Sequence, residues 1–211
     1  MVSRVIYRPF EEGDFDALAA IMQATWHSET PNDEYNKLEA TYDLAHALSI
    51  SSFSQVVLVD GEPRGVVLAR AASDRLPYAA AWDHAKEDIL QQMWAIDKRA
   101  TAGYLAFLKN EERVNGRLLE QSGISGSDQI TLLAVSETTR GMGIGSILLD
   151  AAASYISSRG AKGAFLYTDT DCSWKFYERR GLKRAAEYRA TREERKLLPR
   201  EMYLYGLDLS A

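Results

Sequence analysis

Residues 130–149 read ITLLAVSETTRGMGIGSILL, and no other stretch restricts this chain as tightly. Ile130, Leu132, Leu133 and Val135 form a short apolar run of β-prone residues. Ser136 to Thr139 is polar and turns the chain. Arg140, Gly141, Met142, Gly143, Ile144 and Gly145 follow, and then Ile147, Leu148, Ala151, Ala152 and Tyr155 recur at helical spacing. The order is strand, glycine-rich turn, helix. It gathers free backbone N–H groups and the positive end of a helix dipole at one point. Glycine there lets a phosphate come close with no Cβ in the way. Arg140 adds a fixed positive charge. The arrangement suits a pyrophosphate.

Three phosphate-binding patterns can be compared with it. A P-loop ends in Gly-Lys-Ser/Thr, but Gly145 is followed by Ser146 and Ile147. A dinucleotide-binding turn sets its third glycine three residues after the second and carries an acid about 20 residues on. Here the glycines are 141, 143 and 145, and residues 160–166 read GAKGAFL. The third pattern, Arg-x-x-Gly-x-Gly, is met by Arg140, Gly143 and Gly145. It resembles the coenzyme A pyrophosphate loop of the GNAT superfamily of N-acetyltransferases. On this hexapeptide alone, a plain strand–helix connection with glycines for packing is the alternative.

The next 40 or so residues favour the resemblance. Ser157-Ser158-Arg159-Gly160 reads as a helix stop. Ala164 to Thr168 reads as a buried strand. Phe176-Tyr177-x-x-x-Gly181-Leu182 is similar to the second signature of that superfamily, a short helix with a glycine cap leading to another strand. The resemblance implies that Tyr177 protonates the departing thiolate. It implies that backbone groups of Leu133, Ala134 and Val135 hold the pantetheine arm and polarise the thioester carbonyl. It sets Arg140, Gly141, Met142, Gly143, Ile144, Gly145 and Ser146 around the pyrophosphate, and Thr170, Ser173 and Phe176 along the rest of acetyl-CoA. The family often has asparagine where this chain has Thr170.

The resemblance covers residues 130–183 closely and 4–70 more loosely. It implies an α/β (α+β) fold, a mixed, twisted central sheet flanked by helices, in one domain over residues 1–211. The rest of the chain reads in the matching order. Arg4 to Phe10 is a strand. Asp14 is placed to cap a helix with Phe15, Leu18, Met22 and Trp26 on its apolar face. Pro31-Asn32-Asp33 breaks it, and a second helix carries Tyr35, Leu38, Tyr42, Ala45 and Leu48. Strands 55–59 and 64–69 flank Asp60-Gly61-Glu62-Pro63, a hairpin signal. Lys183 to Ala190 and Met202 to Leu209 read as the last strands.

Residues 71–128 exceed that plan and are far too long for a plain loop. Ile89, Met93, Ile96 and Ala100 share one helical face, and Val114 and Leu118 another. A helical hairpin that thickens the core or makes a homodimer contact is one reading. A cover over the acceptor, lined by Tyr78, Trp82, Trp94 and Tyr104, is the other.

Net charge of −5 leaves no basic field for nucleic acid. The lone Cys172 excludes an internal disulfide framework. No apolar run approaches the roughly 18 residues of a membrane span, and Met1-Val2-Ser3-Arg4 starts no signal-peptide pattern. The expected place is the cytoplasm. His27, His46 and His84 match no metal spacing, so no metal is expected.

The expected activity is transfer of an acetyl group from acetyl-CoA directly to a primary amine of a small molecule. A protein lysine or N-terminal acetyltransferase and a non-catalytic coenzyme A-binding module are the alternatives. An ammonium of pKa about 10.4 must lose a proton first, at a cost of roughly 4.6 kcal/mol at pH 7. Asp128, Glu34 and Asp171 are candidate bases. Cys172 is a nucleophile only if a base or cation lowers its pKa; a packing thiol is the commoner role. No motif identifies the acceptor. Segments 27–52, 71–128 and 190–201 are expected to shape its site.

Overall fold

The structure, a computed structural model, describes residues 4–76 and 79–210. Tyr78 and the opening Met1-Val2-Ser3 lie outside them. The chain runs β1 (Val5–Arg8), α1 (Phe15–Trp26), α2 (Asp33–Ser49), β2 (Phe53–Val59), β3 (Glu62–Arg70), α3 (Ala79–Ile96), α4 (Lys98–Ser122), β4 (Gln129–Val135), α5 (Ile144–Ser158), β5 (Gly163–Asp169), α6 (Lys175–Arg179), β6 (Lys183–Arg189) and β7 (Glu201–Asp208). The seven strands form one sheet in the order β1-β2-β3-β4-β5-β7-β6. Every neighbouring pair is antiparallel except β4–β5. The mixed sheet with helices on both faces is the expected fold.

Alternation along the strands divides the core between two faces. On one face, Leu148, Ala152 and Ile156 of α5 pack on Val57, Val67, Ile130 and Leu166. On the other, α1 and α2 bring Leu18, Met22, Leu44 and Leu48 onto Val56, Val66 and Leu68. α4 lies on that second face too, with Val114 and Leu118 on Phe165, Met202 and Leu204. α2 and α4 therefore cover opposite halves of one face. Tyr35, Ile89, Met93 and Tyr104 fill the space between α2, α3 and α4.

Several local readings change. The hairpin turn is only Asp60-Gly61, with φ of 53° and 90°. Both positive values suit a two-residue type I′ turn, and Glu62-Pro63 joins the strand. Asp14 stands at the start of α1 but makes no side-chain cap there. Its carboxylate instead accepts from the Arg8 guanidinium at 2.6 and 2.7 Å and from Glu11 N–H at 2.9 Å. Asp97 splits the face read across Ile89 to Ala100, because its carboxylate caps α4 through Arg99 and Ala100 N–H, both at 2.9 Å. Ile147 is 46% exposed, so the inward stripe of α5 runs through Ile144, Leu148, Ala152 and Ile156.

Candidate active site

β4 and β5 share a single register pair, Gln129 with Phe165. Phe165 N–H donates to Asp128 O beside it, at 3.1 Å. Further along, β4 stays paired with β3 and β5 with β7, so the two strands part and leave a wedge in the sheet. Alternation tells which peptide groups line it. Ser136 N–H donates to Arg64 O at 2.8 Å, which turns Ser136 and Ala134 towards β3. Ala134 O lies 2.8 Å from where a Cβ on Gly65 would stand, in agreement. Leu133 and Val135 therefore offer N–H and C=O groups to the wedge, while the peptide groups of Ala134 belong to the sheet.

The glycine loop stands at the open end of β4. Gly141 and Gly143 hold φ of 85° and 76°, the left-handed region that glycine enters freely. Gly143 is the N-cap of α5, and its carbonyl accepts from Ser146 and Ile147 N–H at 3.1 and 3.2 Å. Among the described residues, the N–H groups of Gly143, Ile144 and Gly145 meet no acceptor. A Cβ built on Gly141 or Gly143 meets nothing within 4 Å, so the space before the loop is open. Arg140 pairs with Glu137 at 2.7 Å, both well exposed. Such a pair is weak, and a phosphate can replace it. Free N–H groups, open space and one exchangeable guanidinium fit a pyrophosphate. Met142 stands exposed at the rim. Phe176 closes the floor, its ring 3.6 Å from a Cβ built on Gly145.

Beyond β5, the chain folds back under the wedge. Asp169 accepts from Asp171 N–H at 2.7 Å and from the Cys172 thiol at 3.7 Å. Burial, and then the Asp169 charge, push the Cys172 thiol up to about 12. It is a protonated packing thiol near neutral pH, unsuited to nucleophilic attack. Burial, with Cys172 and Asp169 near, raises the Tyr177 hydroxyl well above its ordinary value. Its ring packs against Phe176 and Tyr205, at centroid distances of 5.3 and 5.9 Å. Thr170 is tied to β7: its N–H donates to Glu201 O at 3.0 Å and its hydroxyl oxygen accepts from Glu201 N–H at 3.4 Å. Ser173 is exposed, and its carbonyl accepts from Phe176 N–H at 2.9 Å.

The segments 27–52, 71–128 and 190–201 meet on the opposite face. Tyr104 of α4 hydrogen-bonds Asp43 of α2, bridging the two helices. Arg113 holds Glu194 at 2.9 Å, and the Tyr188 hydroxyl donates to the same carboxylate at 2.7 Å. That clamp pins the β6–β7 connection to α4. The sequence offered no sign of it, because its members lie 81 residues apart. Trp82 stacks on Phe15 with ring centroids 4.9 Å apart and lines a shallow cavity with Phe10, Leu48, Phe53 and Leu68, Trp94 is 37% exposed, and Tyr104 is buried and bonded to Asp43.

The candidate bases stand in different surroundings. Asp128 lies at the closed end of the wedge and accepts from Ala72 N–H at 2.9 Å. Glu34 and Asp171 are exposed. Glu111, unremarked in the sequence, is instead half-buried on α4, and burial followed by the Asp43 and Asp169 charges pushes it up to about 7. The signal for it was present: Tyr104, Phe107, Glu111, Val114 and Leu118 share one inward stripe.

His27, at the end of α1, is buried between two acids, 3.5 Å from Glu39 and 3.0 Å from Asp43. Burial opposes its charge, but hydrogen bonds and charges from Asp43 and Glu39 outweigh that and hold the imidazolium up to about 9. The unfolded chain releases the proton near 6.5. The stabilisation is therefore complete below about pH 6.5 and is lost as pH rises through about 9. Urea unfolding at pH 6 and pH 9.5 is expected to show this loss in the native sequence and not in His27→Gln. An equal loss in both proteins would remove His27 as its source.

Among the described residues, no three His, Cys, Asp or Glu side chains gather to hold a metal ion, and no helix is long and apolar enough to cross a membrane. No curated protein sequence matches the chain significantly. Solved structures do. A putative acetyltransferase of the GNAT family from Desulfovibrio desulfuricans is 13% identical, with 98% of this chain and 99% of that one covered and a TM-score of 0.56. The ribosomal-protein-S18-alanine N-acetyltransferase from Escherichia coli is 12% identical, with 99% and 96% covered and a TM-score of 0.56. Aminoglycoside 6'-acetyltransferase type Ii is 14% identical, with 97% of each chain covered and a TM-score of 0.57. At such identities the likeness shows the fold. The family model described as Acetyltransferase (GNAT) family matches residues 68–182, more than half of the chain, from the end of β3 through the wedge to just past α6. The chain belongs to the GNAT family of acetyltransferases, acyltransferases that use acetyl-CoA.

Proposed function

We propose that this protein acetylates a primary amine of a small molecule by direct attack, with acetyl-CoA lying in the wedge between β4 and β5. Acetyl-CoA supplies an activated acyl group and a thiolate leaving group. In this reading, the Leu133 and Val135 peptide groups orient the pantetheine arm, and an N–H at that edge stabilises the charge that develops on the thioester oxygen. The N–H groups of Gly143, Ile144 and Gly145, with Arg140, hold the pyrophosphate. Phe176 packs beneath the loop, and Ser173 and Thr170 flank the arm at the end of β5. Tyr177 donates a proton to sulfur.

The observation that carries the acceptor class is the Asp43–Tyr104 bridge, which joins α2 and α4 on the sheet face opposite α5, together with the Arg113–Glu194 clamp that holds the β6–β7 connection to α4. A chain terminus or a lysine on a folded protein needs an open groove. Helices tied together across this face, with the acidic Asp43 and Glu39 between them, suit a compact cationic amine better than an open groove would. Both kinds of acceptor occur in the names of similar structures, an aminoglycoside in one and a ribosomal protein in another, so the fold alone does not choose. Release of free coenzyme A, followed with small amines and with lysine and N-terminal peptides side by side, tests the choice. Faster turnover of peptides than of every small amine would overturn it.

Direct attack makes a separate prediction. Cys172→Ala is expected to keep most of the activity, and intact mass after mixing with acetyl-CoA is expected to show no acetyl-enzyme. A stable adduct on Cys172 that passes its acetyl group to an amine would establish a two-step route instead.

A further inference from the structure

The cavity beside Trp82 measures about 200 Å³ and lies at the end of the sheet away from the glycine loop. Strand register places it there. Phe53 on its wall pairs with Ala69, and Ala69 with Ile130, next to Gln129, where the wedge is closed. The glycine loop follows the other end of β4. Four elements build the cavity: Phe10 just after β1, Leu48 near the end of α2, Leu68 of β3, and Trp82 in the first turn of α3. Leu48 and Leu68 belong to the buried core, and Phe10 and Trp82 pack on it half-buried. Trp82 meets Phe10 edge-on, with centroids 5.9 Å apart and planes at 66°, and stacks on Phe15. Two rings therefore hold the indole in place.

Hydrogen bonds fix the polar side of the wall. Ser54 Oγ accepts from Phe10 N–H at 3.1 Å. The Ser51 hydroxyl donates to Ala47 O at 2.5 Å and lies 2.6 Å from the Thr131 hydroxyl on β4. Ser52 Oγ accepts from Ala71 N–H at 3.1 Å and from the Tyr155 hydroxyl on α5 at 2.9 Å. A wall tied to four elements is formed before any ligand arrives, which lowers the cost of binding. Glu12 is the single charged residue on it. Its side chain is exposed and meets no hydrogen-bond or ion-pair partner among the described residues. The cation nearest in sequence, Arg8, is engaged by Asp14 and Glu11.

We propose that this cavity binds a small organic ammonium ion with one aromatic arm, at a site separate from the wedge. The arm covers Leu48 and Leu68 and packs on the Phe10 and Trp82 rings, an arrangement that aromatic pairs favour. The cationic head is attracted by the same rings and by the unpaired Glu12 carboxylate. An anion is repelled by Glu12, and a neutral molecule leaves that charge unused. Pockets for drug-sized ligands measure roughly 300–1,000 Å³, so this smaller cavity suits a single ring with a compact head.

The test is titration of the full chain with benzyltrimethylammonium, followed by NMR of the amide and indole N–H groups. This probe has no N–H and no free lone pair, so it is no acceptor for an acetyl group. A saturable shift of the Trp82 indole resonance is expected, with the Trp94 and Trp174 indoles and the glycine-loop amides unmoved. Excess coenzyme A is expected to leave the probe bound. Glu12→Gln is expected to weaken it about three- to fivefold, the loss of one exposed charge pair. Benzyl alcohol, a neutral ring, is expected to bind the native protein and Glu12→Gln alike. Trp82→Leu, which identifies the resonance, is expected to weaken the probe about tenfold. Should Trp82→Leu fail to fold, Glu12→Gln decides by itself, because its side chain is exposed and holds nothing together. No saturation at Trp82, shifts centred on Trp174 or the glycine loop, or displacement by coenzyme A would overturn the site. Equal affinity of native protein and Glu12→Gln for the ammonium would overturn the ligand class, and with it the proposal.

Discussion

Tyr177→Phe is expected to lower kcat about 10²-fold and to leave coenzyme A affinity nearly unchanged. The substitution keeps the ring between Phe176 and Tyr205 and removes only the hydroxyl. With ordinary pKa values, near 10 for tyrosine and 8.5 for a thiol, proton transfer to the departing thiolate is uphill by about 2 kcal/mol. Burial raises Tyr177, which by itself would widen the gap. In the proposed pose, however, the thiolate forms in the same surroundings. Cys172 reports what those surroundings do to a thiol: it is pushed from 9.0 to about 12. Donor and acceptor rise together, and the transfer stays accessible. A raised tyrosine also remains protonated throughout the neutral range, so it adds no alkaline limb to kcat there. Single-turnover measurement separates chemistry from product release. A native rate in Tyr177→Phe, with chemistry limiting, would remove the acid role.

Gly143→Val is expected to weaken coenzyme A binding ten- to a hundredfold, about 1.4 to 2.7 kcal/mol. At φ of 76° a β-branched residue is strained, and the first turn of α5 shifts to relieve it. A Cβ there meets nothing in the free protein, so no packing contact is lost. What changes is the aim of the Ile144 and Gly145 N–H groups and the room before them. Gly145→Ala is the useful companion. Its added methyl makes an ordinary contact with Phe176 at 3.6 Å, so the fold tolerates it. Calorimetric titration of coenzyme A into folded variants decides the matter, and unchanged affinity in Gly143→Val would withdraw the pyrophosphate from this loop.

The turn at Gly141–Gly145 and the short helix that carries Tyr177 were legible because each belongs to a local pattern, a glycine spacing or a helix with a glycine cap. The alternation of β2 and β3 and the stripe of α5 were legible for the same reason. The wedge was not. Its cause is the absence of pairing between β4 and β5 beyond Gln129–Phe165, and residues 130–135 look alike whether or not a strand lies beside them. Asp14 was misread because its partner, Arg8, outcompetes the helix N–H groups, and a capping residue looks the same in either role. Ala100 was assigned to the helix before its own because periodicity runs on across Asp97, whose capping bonds interrupt it. Glu111 drew no reading from the sequence, although it shares the 104–107–111–114–118 stripe that the sheet beneath α4 turns inward.

β7 lies between β5 and β6, so the sheet order departs from the order of synthesis. Residues 183–189 leave the ribosome before the strand they pair with exists. At roughly 5–20 residues per second, the wait lasts about 1–4 s. Meanwhile β4, α5 and β5 can already assemble, and β5 presents an open edge carrying Phe165 and Leu166. Nascent chains are most exposed to sticking at such an edge. Protection of β5 and β6, followed in stalled nascent chains, is expected to arrive together and only after residue 208 has emerged. The β5 wall of the wedge would then be fixed only when the last strand arrives.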